Sequence, residues 1–168
     1  MQVLISDKLP AFTAEILASA GLTVESRPGL KPEEIKKIIG RFHGLIVRSA
    51  TRVNRDLLMA AANLKVVARA GTGVDNIDLT ACTEKGVVVM NTPGQNSNAA
   101  AELTVGLILA LSRHIPQGTM SLKACRWDKN ALVGREVRGK TRGVIGLGAV
   151  GRIVADLAQG LKMKVVGF

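Results

Sequence analysis

Short runs of Val and Ile recur along this chain of 168 residues, and between them lie stretches whose apolar residues keep helical spacing. That alternation restricts the fold more than any other feature, because strands and helices in strict turn with short connections form parallel βαβ units. Val3 to Ile5 opens the series. Phe12, Ile16, Leu17 and Ala20 follow at i, i+4, i+5 and i+8, so they share one helical face, and Gly21 ends the helix. Leu22 to Val24 predicts the second strand. Lys31-Pro32-Glu33-Glu34 then opens a helix with proline and acids in its first turn, where the unpaired N–H groups and the helix dipole favour them. Leu45 to Val47 is the third strand, and Asn54 is placed to cap a helix over 55–62. Lys65 to Ala68 is the fourth strand, a helix over 77–85 ends at Gly86, and Val87 to Met90 is the fifth strand. Residues 1–95 therefore read as one doubly wound parallel α/β domain.

The pattern changes at Asn96. From there to His114 runs a long helix that is apolar nearly all round, with Leu103, Leu107, Ala110 and Leu111 on one face. A helix without a clear polar face is predicted to lie buried between layers or subunits. Pro116 and Gly118 punctuate it, a polar stretch with Trp127 follows, and Arg142 to Ile145, Val150 to Leu161 and Lys164 to Val166 read as strand, helix, strand. Residues 96–168 are thus expected to hold a linking helix and the first βαβ unit of a second domain.

Composition narrows the class. With only four aromatic residues, Phe12, Phe42, Trp127 and Phe168, the core must be aliphatic, which suits strands covered on both faces. Cys82 and Cys125 cannot make a disulfide framework, and no Cys/His cluster has zinc spacing, so a reducing compartment and no metal are expected. Residues 99–112, the longest apolar stretch, fall short of the roughly 18 residues that span a bilayer and include Glu102. The first seven residues reach Asp7 too soon for a secretory signal. A soluble, cytoplasmic protein is the expectation. The net charge of +10 is uneven: residues 1–112 hold 12 basic and 10 acidic side chains, residues 113–168 hold 11 and 3. Those late cations are interspersed with glycines and apolar residues, and Trp127 is their only aromatic neighbour. A nucleic-acid groove would gather charge beside stacking rings, so no such partner is assigned.

Two constellations carry chemistry. Gly146-Leu147-Gly148-Ala149-Val150-Gly151 is a G-x-G-x-x-G that follows an apolar strand and opens a helix. In that context Gly146 allows a tight turn, Gly148 lets the backbone approach a pyrophosphate, and Gly151 lets helix pack on strand. The second set lies at the carboxyl ends of three consecutive strands: Arg48-Ser49, Arg69-Ala70-Gly71-Thr72-Gly73 and Asn91-Thr92-Pro93-Gly94. Arg48 and Arg69 can form charge-assisted bonds to a small anionic substrate, and the glycines free backbone N–H groups beside them. His43, His114 and both cysteines lack an adjacent partner that would mark a base or a nucleophile.

The stretches GLIVRSAT (44–51), RAGTGVDN (69–76), VMNTP (89–93), AEL (101–103) and GKT (139–141) closely resemble the D-isomer-specific 2-hydroxyacid dehydrogenase family. RAGTGVDN with VMNTP favours its phosphoglycerate-oxidising branch. The resemblance implies a flavodoxin-like substrate domain over 1–95 and, over 96–168, the linking helix and opening βαβ of a Rossmann domain that binds NAD. It implies oxidation of 3-phosphoglycerate to 3-phosphohydroxypyruvate at the start of serine synthesis, by a homo-oligomer in full-length members. Carried over, Arg48, Ser49, Arg69 and Gly71 contact the phosphorylated 2-hydroxy acid, Thr72 lies near the nicotinamide, and Gly146, Gly148, Ala149, Val150 and Gly151 hold the pyrophosphate. The family's catalytic Arg, Glu and His lie further along than Phe168, so no catalytic residue is assigned and the 168-residue chain alone is expected to be inactive. The alternatives are another D-2-hydroxyacid dehydrogenase, such as a hydroxypyruvate or glyoxylate reductase, and a non-catalytic dinucleotide sensor or corepressor. Two departures stand out: Ala149 where the family commonly has Arg, and Arg142 where it has an apolar strand residue.

Overall fold

Strands β1 (Gln2–Ile5), β2 (Thr23–Ser26), β3 (Gly44–Val47), β4 (Val66–Arg69) and β5 (Val88–Met90) form one sheet in the order β2-β1-β3-β4-β5, every pair parallel. The computed structural model describes residues 1–168, and this sheet organises the first of its two units, Met1–Gln95. Helices α1 (Phe12–Ser19), α2 (Pro32–Ile38), α3 (Arg55–Ala60) and α4 (Leu79–Glu84) make the crossovers. The step from β1 to β2 moves toward one edge of the sheet, and every later step moves toward the other. Because parallel crossovers are right-handed, α1 falls on one face and α2, α3 and α4 on the opposite one. This is the doubly wound parallel class that the alternation predicts, in the flavodoxin-like order that the family resemblance implies.

The two faces differ in what they bury. On the three-helix face Leu4, Leu45, Val47 and Val67 are fully enclosed against side chains such as Ile35, Ile39, Leu57 and Cys82. Each such aliphatic side chain contributes about 1.5–3 kcal/mol. On the α1 face Val3 and Ile5 are buried, yet Val88 and Met90 at the far edge are 59% and 57% exposed. Helix α1 buries none of its residues, and Phe12 and Ile16 stay exposed. Strands covered on both faces are what the composition suggests; here one helix has a whole face to itself, too little to cover it.

Local chemistry sets the helix starts. The Asn54 side chain accepts the Leu57 N–H at 2.9 Å, and the Asp78 side chain accepts the Ala81 N–H at 2.9 Å, each satisfying a donor with no partner inside its helix. Helix α4 therefore begins at Leu79, not at Ile77, whose backbone is drawn into a parallel bridge with Val53. At α2 the Lys31 N–H donates to the Glu34 carboxylate at 2.7 Å.

The second unit, Asn96–Phe168, begins with α5 (Ser97–Ser112), of which only Ser97 and Ala101 are buried. Leu103, Leu107 and Leu111 remain exposed, so the burial expected for this helix is not met within residues 1–168. His114 takes a left-handed φ of 53°, and a separate helix α6 (Ile115–Lys123) starts there. Pro116 opens that helix, not ends the previous one, because its missing N–H is harmless in a first turn. Strand β6 (Thr141–Val144), helix α7 (Ala149–Gly160) and strand β7 (Lys164–Gly167) form one βαβ unit with β6 and β7 paired in parallel. Val144 of β6 and Val154 of α7 pack with Ala101 of α5 as the buried centre of the second unit. Arg142 lies on β6 with its Nε buried and no hydrogen-bond partner, the mismatch that a charge in an apolar strand position predicts. No helix is long and apolar enough to cross a membrane.

Replacing Asn54 with Ala is expected to lower the unfolding free energy by about 1 kcal/mol, read as a lower urea midpoint at unchanged slope. An unchanged midpoint would show that the cap contributes nothing.

Candidate functional site

Asp7, directly after β1, is 5% exposed and is the anchor of the polar loops at the carboxyl ends of the strands. Its Oδ2 accepts the backbone N–H groups of Arg48, Ala50 and Thr51 at 2.6, 3.2 and 3.2 Å. Its Oδ1 accepts the Thr51 hydroxyl at 2.6 Å. The Thr51 hydroxyl is thus a donor, so the Ser6 hydroxyl must donate in the 2.9 Å bond between the two. Burial pushes the Asp7 carboxyl up, but the bonds from the Thr51 hydroxyl and from the backbone of Arg48, Thr51 and Ala50 together outweigh it, holding the pKa below its ordinary 3.8. A buried anion thereby pins the loop that presents Arg48 and Ser49, both exposed.

The next loop is tied to the first. Asn76 Nδ2 donates to the Arg48 carbonyl at 2.8 Å and to the Thr51 carbonyl at 2.7 Å. Arg69 Nε donates to the same Arg48 carbonyl at 3.2 Å, and its Nη1 donates to the Gly73 carbonyl. The Arg69 side chain is only 12% exposed, and its contact with Asp75 at 3.8 Å is loose because Asp75 is 85% exposed. A Cβ on Gly73 would stand 3.0 Å from Arg69 Nη1, so the glycine leaves room for this arrangement. Beyond it, Asn91 Nδ2 donates to the Thr72 carbonyl at 2.7 Å, and the Thr92 N–H donates to the Gly71 carbonyl at 3.0 Å.

In the second unit Gly146 has φ +90°, a conformation that side chains disfavour. A Cβ on Gly151 would collide with the Gly146 carbonyl oxygen, and because that atom is backbone the chain itself would have to shift. Gly148 is the N-cap of α7 and offers no side chain to the first-turn N–H groups, and the space around it is open. The loop therefore fits a phosphate group, whose oxygens would complete those donors. Arg152 reaches back to donate from Nε to the Leu147 carbonyl at 2.9 Å.

Of the residues read from the sequence, Arg48, Ser49, Arg69, Gly71 and Thr72 stand on adjacent loops of the first unit. Gly146, Gly148, Ala149, Val150 and Gly151 form one turn of the second. Arg48 offers a free guanidinium, whereas two of the Arg69 nitrogens are engaged with its own and the preceding loop. Asp7 and Asn76 were not among the expected site residues. Asp7 could be found as the first charged residue after an apolar strand, where open sheets hold their functional loops; Asn76 closes the RAGTGVDN stretch, but no spacing marks its bonds to the loop after β3. Cys82 is buried in α4, where desolvation and the nearby Asp78 carboxylate push its thiol up, so it is a packing residue. His43 accepts the Gln2 N–H at Nδ1, 3.2 Å away, a structural contact.

Residues 3–165 match the family model described as D-isomer specific 2-hydroxyacid dehydrogenase, catalytic domain. The chain is 50% identical over 167 residues to D-3-phosphoglycerate dehydrogenase of Rattus norvegicus, covering 99% of this chain and 31% of that protein. It is 42% identical over 167 residues to hydroxypyruvate reductase of Thermotoga maritima, covering 99% of this chain and 55% of that protein. The structure of NAD+-bound 3-phosphoglycerate dehydrogenase from Entamoeba histolytica superposes with a TM-score of 0.80 at 34% identity, over 100% of this chain and 53% of that one. The chain thus spans about a third to a half of the length of these relatives.

Asp7→Ala is expected to cost about 2–4 kcal/mol of stability, since the buried N–H and hydroxyl of Thr51 and the part-buried N–H groups of Arg48 and Ala50 lose their acceptor. Because the folded pKa of Asp7 is depressed, its contribution is complete above the unfolded value and is lost as pH falls through the folded one. The stability gap between wild type and Asp7→Asn should therefore narrow as the pH falls below the ordinary carboxylate value of about 3.9, measured by urea titration at each pH; a gap independent of pH would refute the ionised anchor.

Proposed function

Because this chain belongs to the D-isomer-specific 2-hydroxyacid dehydrogenase family, we propose that it is part of an enzyme that oxidises 3-phosphoglycerate at C2 to 3-phosphohydroxypyruvate with NAD. The observation that carries this reading is the 50% identity to a D-3-phosphoglycerate dehydrogenase over 167 residues. Residues 1–95 serve as the substrate domain. Residues 96–168 are the linking helix and the opening of the NAD-binding domain.

The substrate is a carboxylate that also bears a phosphate, so its recognition calls for fixed cations and N–H donors. Arg48 supplies charge-assisted bonds from a loop whose backbone is held by Asp7, and Ser49 adds a hydroxyl beside it. Arg69 keeps the two loops in register while lining the same end of the sheet with Gly71. Gly146, Gly148, Ala149, Val150 and Gly151 hold the cofactor pyrophosphate at the N-terminus of α7, where backbone donors compensate for the lack of an arginine at 149. Thr72 is a further cofactor contact. NAD, when bound, accepts the hydride released from C2. The residues assigned here bind and orient, and none takes the hydroxyl proton, so residues 1–168 alone should not turn over. The setting is serine synthesis in the cytoplasm, in a homo-oligomer.

A second reading, reduction of hydroxypyruvate, is supported by the 42% identity to a hydroxypyruvate reductase. A substrate panel on the full-length gene product separates the two. We expect 3-phosphohydroxypyruvate to be preferred over hydroxypyruvate in the reductive direction, and the reverse order would favour the second reading. Arg48→Ala should lower kcat/KM for 3-phosphoglycerate by about 10–100-fold, mainly through KM.

A further inference from the structure

The first unit contains a cavity of about 660 Å³ that the dehydrogenase reading does not use. It lies at the carboxyl ends of β1, β2 and β3, between the start of α2 and the start of α3. That is the point where the strand order reverses, since the connection from β1 runs to one edge of the sheet and the connection from β3 to the other. Crevices at such reversals are where open α/β sheets bind ligands, and the volume suits a small molecule.

The walls define what would bind. Pro28, Leu30, Ile35 and Leu57 give one side an apolar lining. Ser6, Asp7 and Thr51 close the base, but their polar groups bond to one another and to the backbone, so the base offers no free charge. At the mouth Lys36 is paired with Asp56 at 2.7 Å. Lys8, Arg52 and Glu33 also line the cavity and are exposed, and their side chains make neither an ion pair nor a hydrogen bond. The unmatched charges of this partly apolar chamber are two cations against the single carboxylate of Glu33, a net positive lining that complements a molecule with an apolar body and one anionic end.

We propose that this cavity is a second ligand site, distinct from the Arg48 loop surface, which takes a small amphipathic carboxylate with its apolar body against Leu30, Ile35 and Leu57 and its acid group at Lys8 and Arg52. Ala50 and Thr51 belong both to its wall and to the loop that Asp7 holds, so the two sites share one segment.

The test is a titration of the full chain with 4-phenylbutyrate, with its neutral amide, 4-phenylbutyramide, as control. The acid should saturate with a Kd below about 1 mM and show NOEs to the methyl groups of Leu30, Ile35 and Leu57. The amide, and the acid against the Lys8→Ala/Arg52→Ala double variant, should each bind about five- to tenfold more weakly. No saturation by about 10 mM, equal affinity for acid and amide, or NOEs confined to other exposed apolar side chains such as Phe12 or Leu103 would each overturn the proposal. The outcome does not depend on which 2-hydroxy acid the enzyme oxidises.

Discussion

One buried carboxylate holds the working end of the first unit together. Asp7 receives three backbone N–H groups and a hydroxyl from the segment after β3, and that segment in turn gives its carbonyls to Asn76 and Arg69. The loops after β1, β3 and β4 therefore behave as one polar network, not as three independent connections. Such a network is worth its desolvation only when every member is satisfied. It nearly is: the exception is Asn76 Oδ1, which is buried without a partner. Arg48 owes its defined position to bonds that its backbone, not its guanidinium, makes with Asp7, Asn76 and Arg69.

The sheet beneath this network is finished on one side only. Right-handed crossovers send three helices to one face, and the strands there pack into an aliphatic core. On the other face the strand edge at Val88 and Met90 stays open, as do Phe12 and Ile16 of α1. The second unit shows the same economy. Its buried centre is three residues, while Leu103, Leu107 and Leu111 of α5 and Ile145 and Val166 beside the β6–β7 pair face outward. Parallel strands ordinarily need cover on both faces.

Most of the architecture is legible in the residue pattern, because a period of two or of 3.6 follows from backbone geometry alone. The strands fall where the Val and Ile runs lie, and the Asn54 cap is visible as a residue type in the right place. The misreadings have physical causes. Pro116 can stop a helix or start one, and only the left-handed turn at His114 decides which. Ile77 looks helical until its backbone is claimed by Val53 across the fold. For the site, the glycine pattern before α7 is readable because Gly146 and Gly151 answer to strictly local demands, a positive φ and a backbone carbonyl where a Cβ would have to stand.

By itself the sequence determined the order of strands and helices, the parallel α/β class, the glycine turn and the placing of Arg48 and Arg69 at strand ends, since each depends on neighbours a few residues away. Only the tertiary structure decided that Asp7 anchors residues 41 to 44 positions later in the chain. It also turned Arg69 inward onto the carbonyls of Arg48 and Gly73, and it enclosed a cavity between α2 and α3. Those outcomes rest on long-range hydrogen bonds and packing, whose energies depend on which segments meet, and no local spacing encodes that.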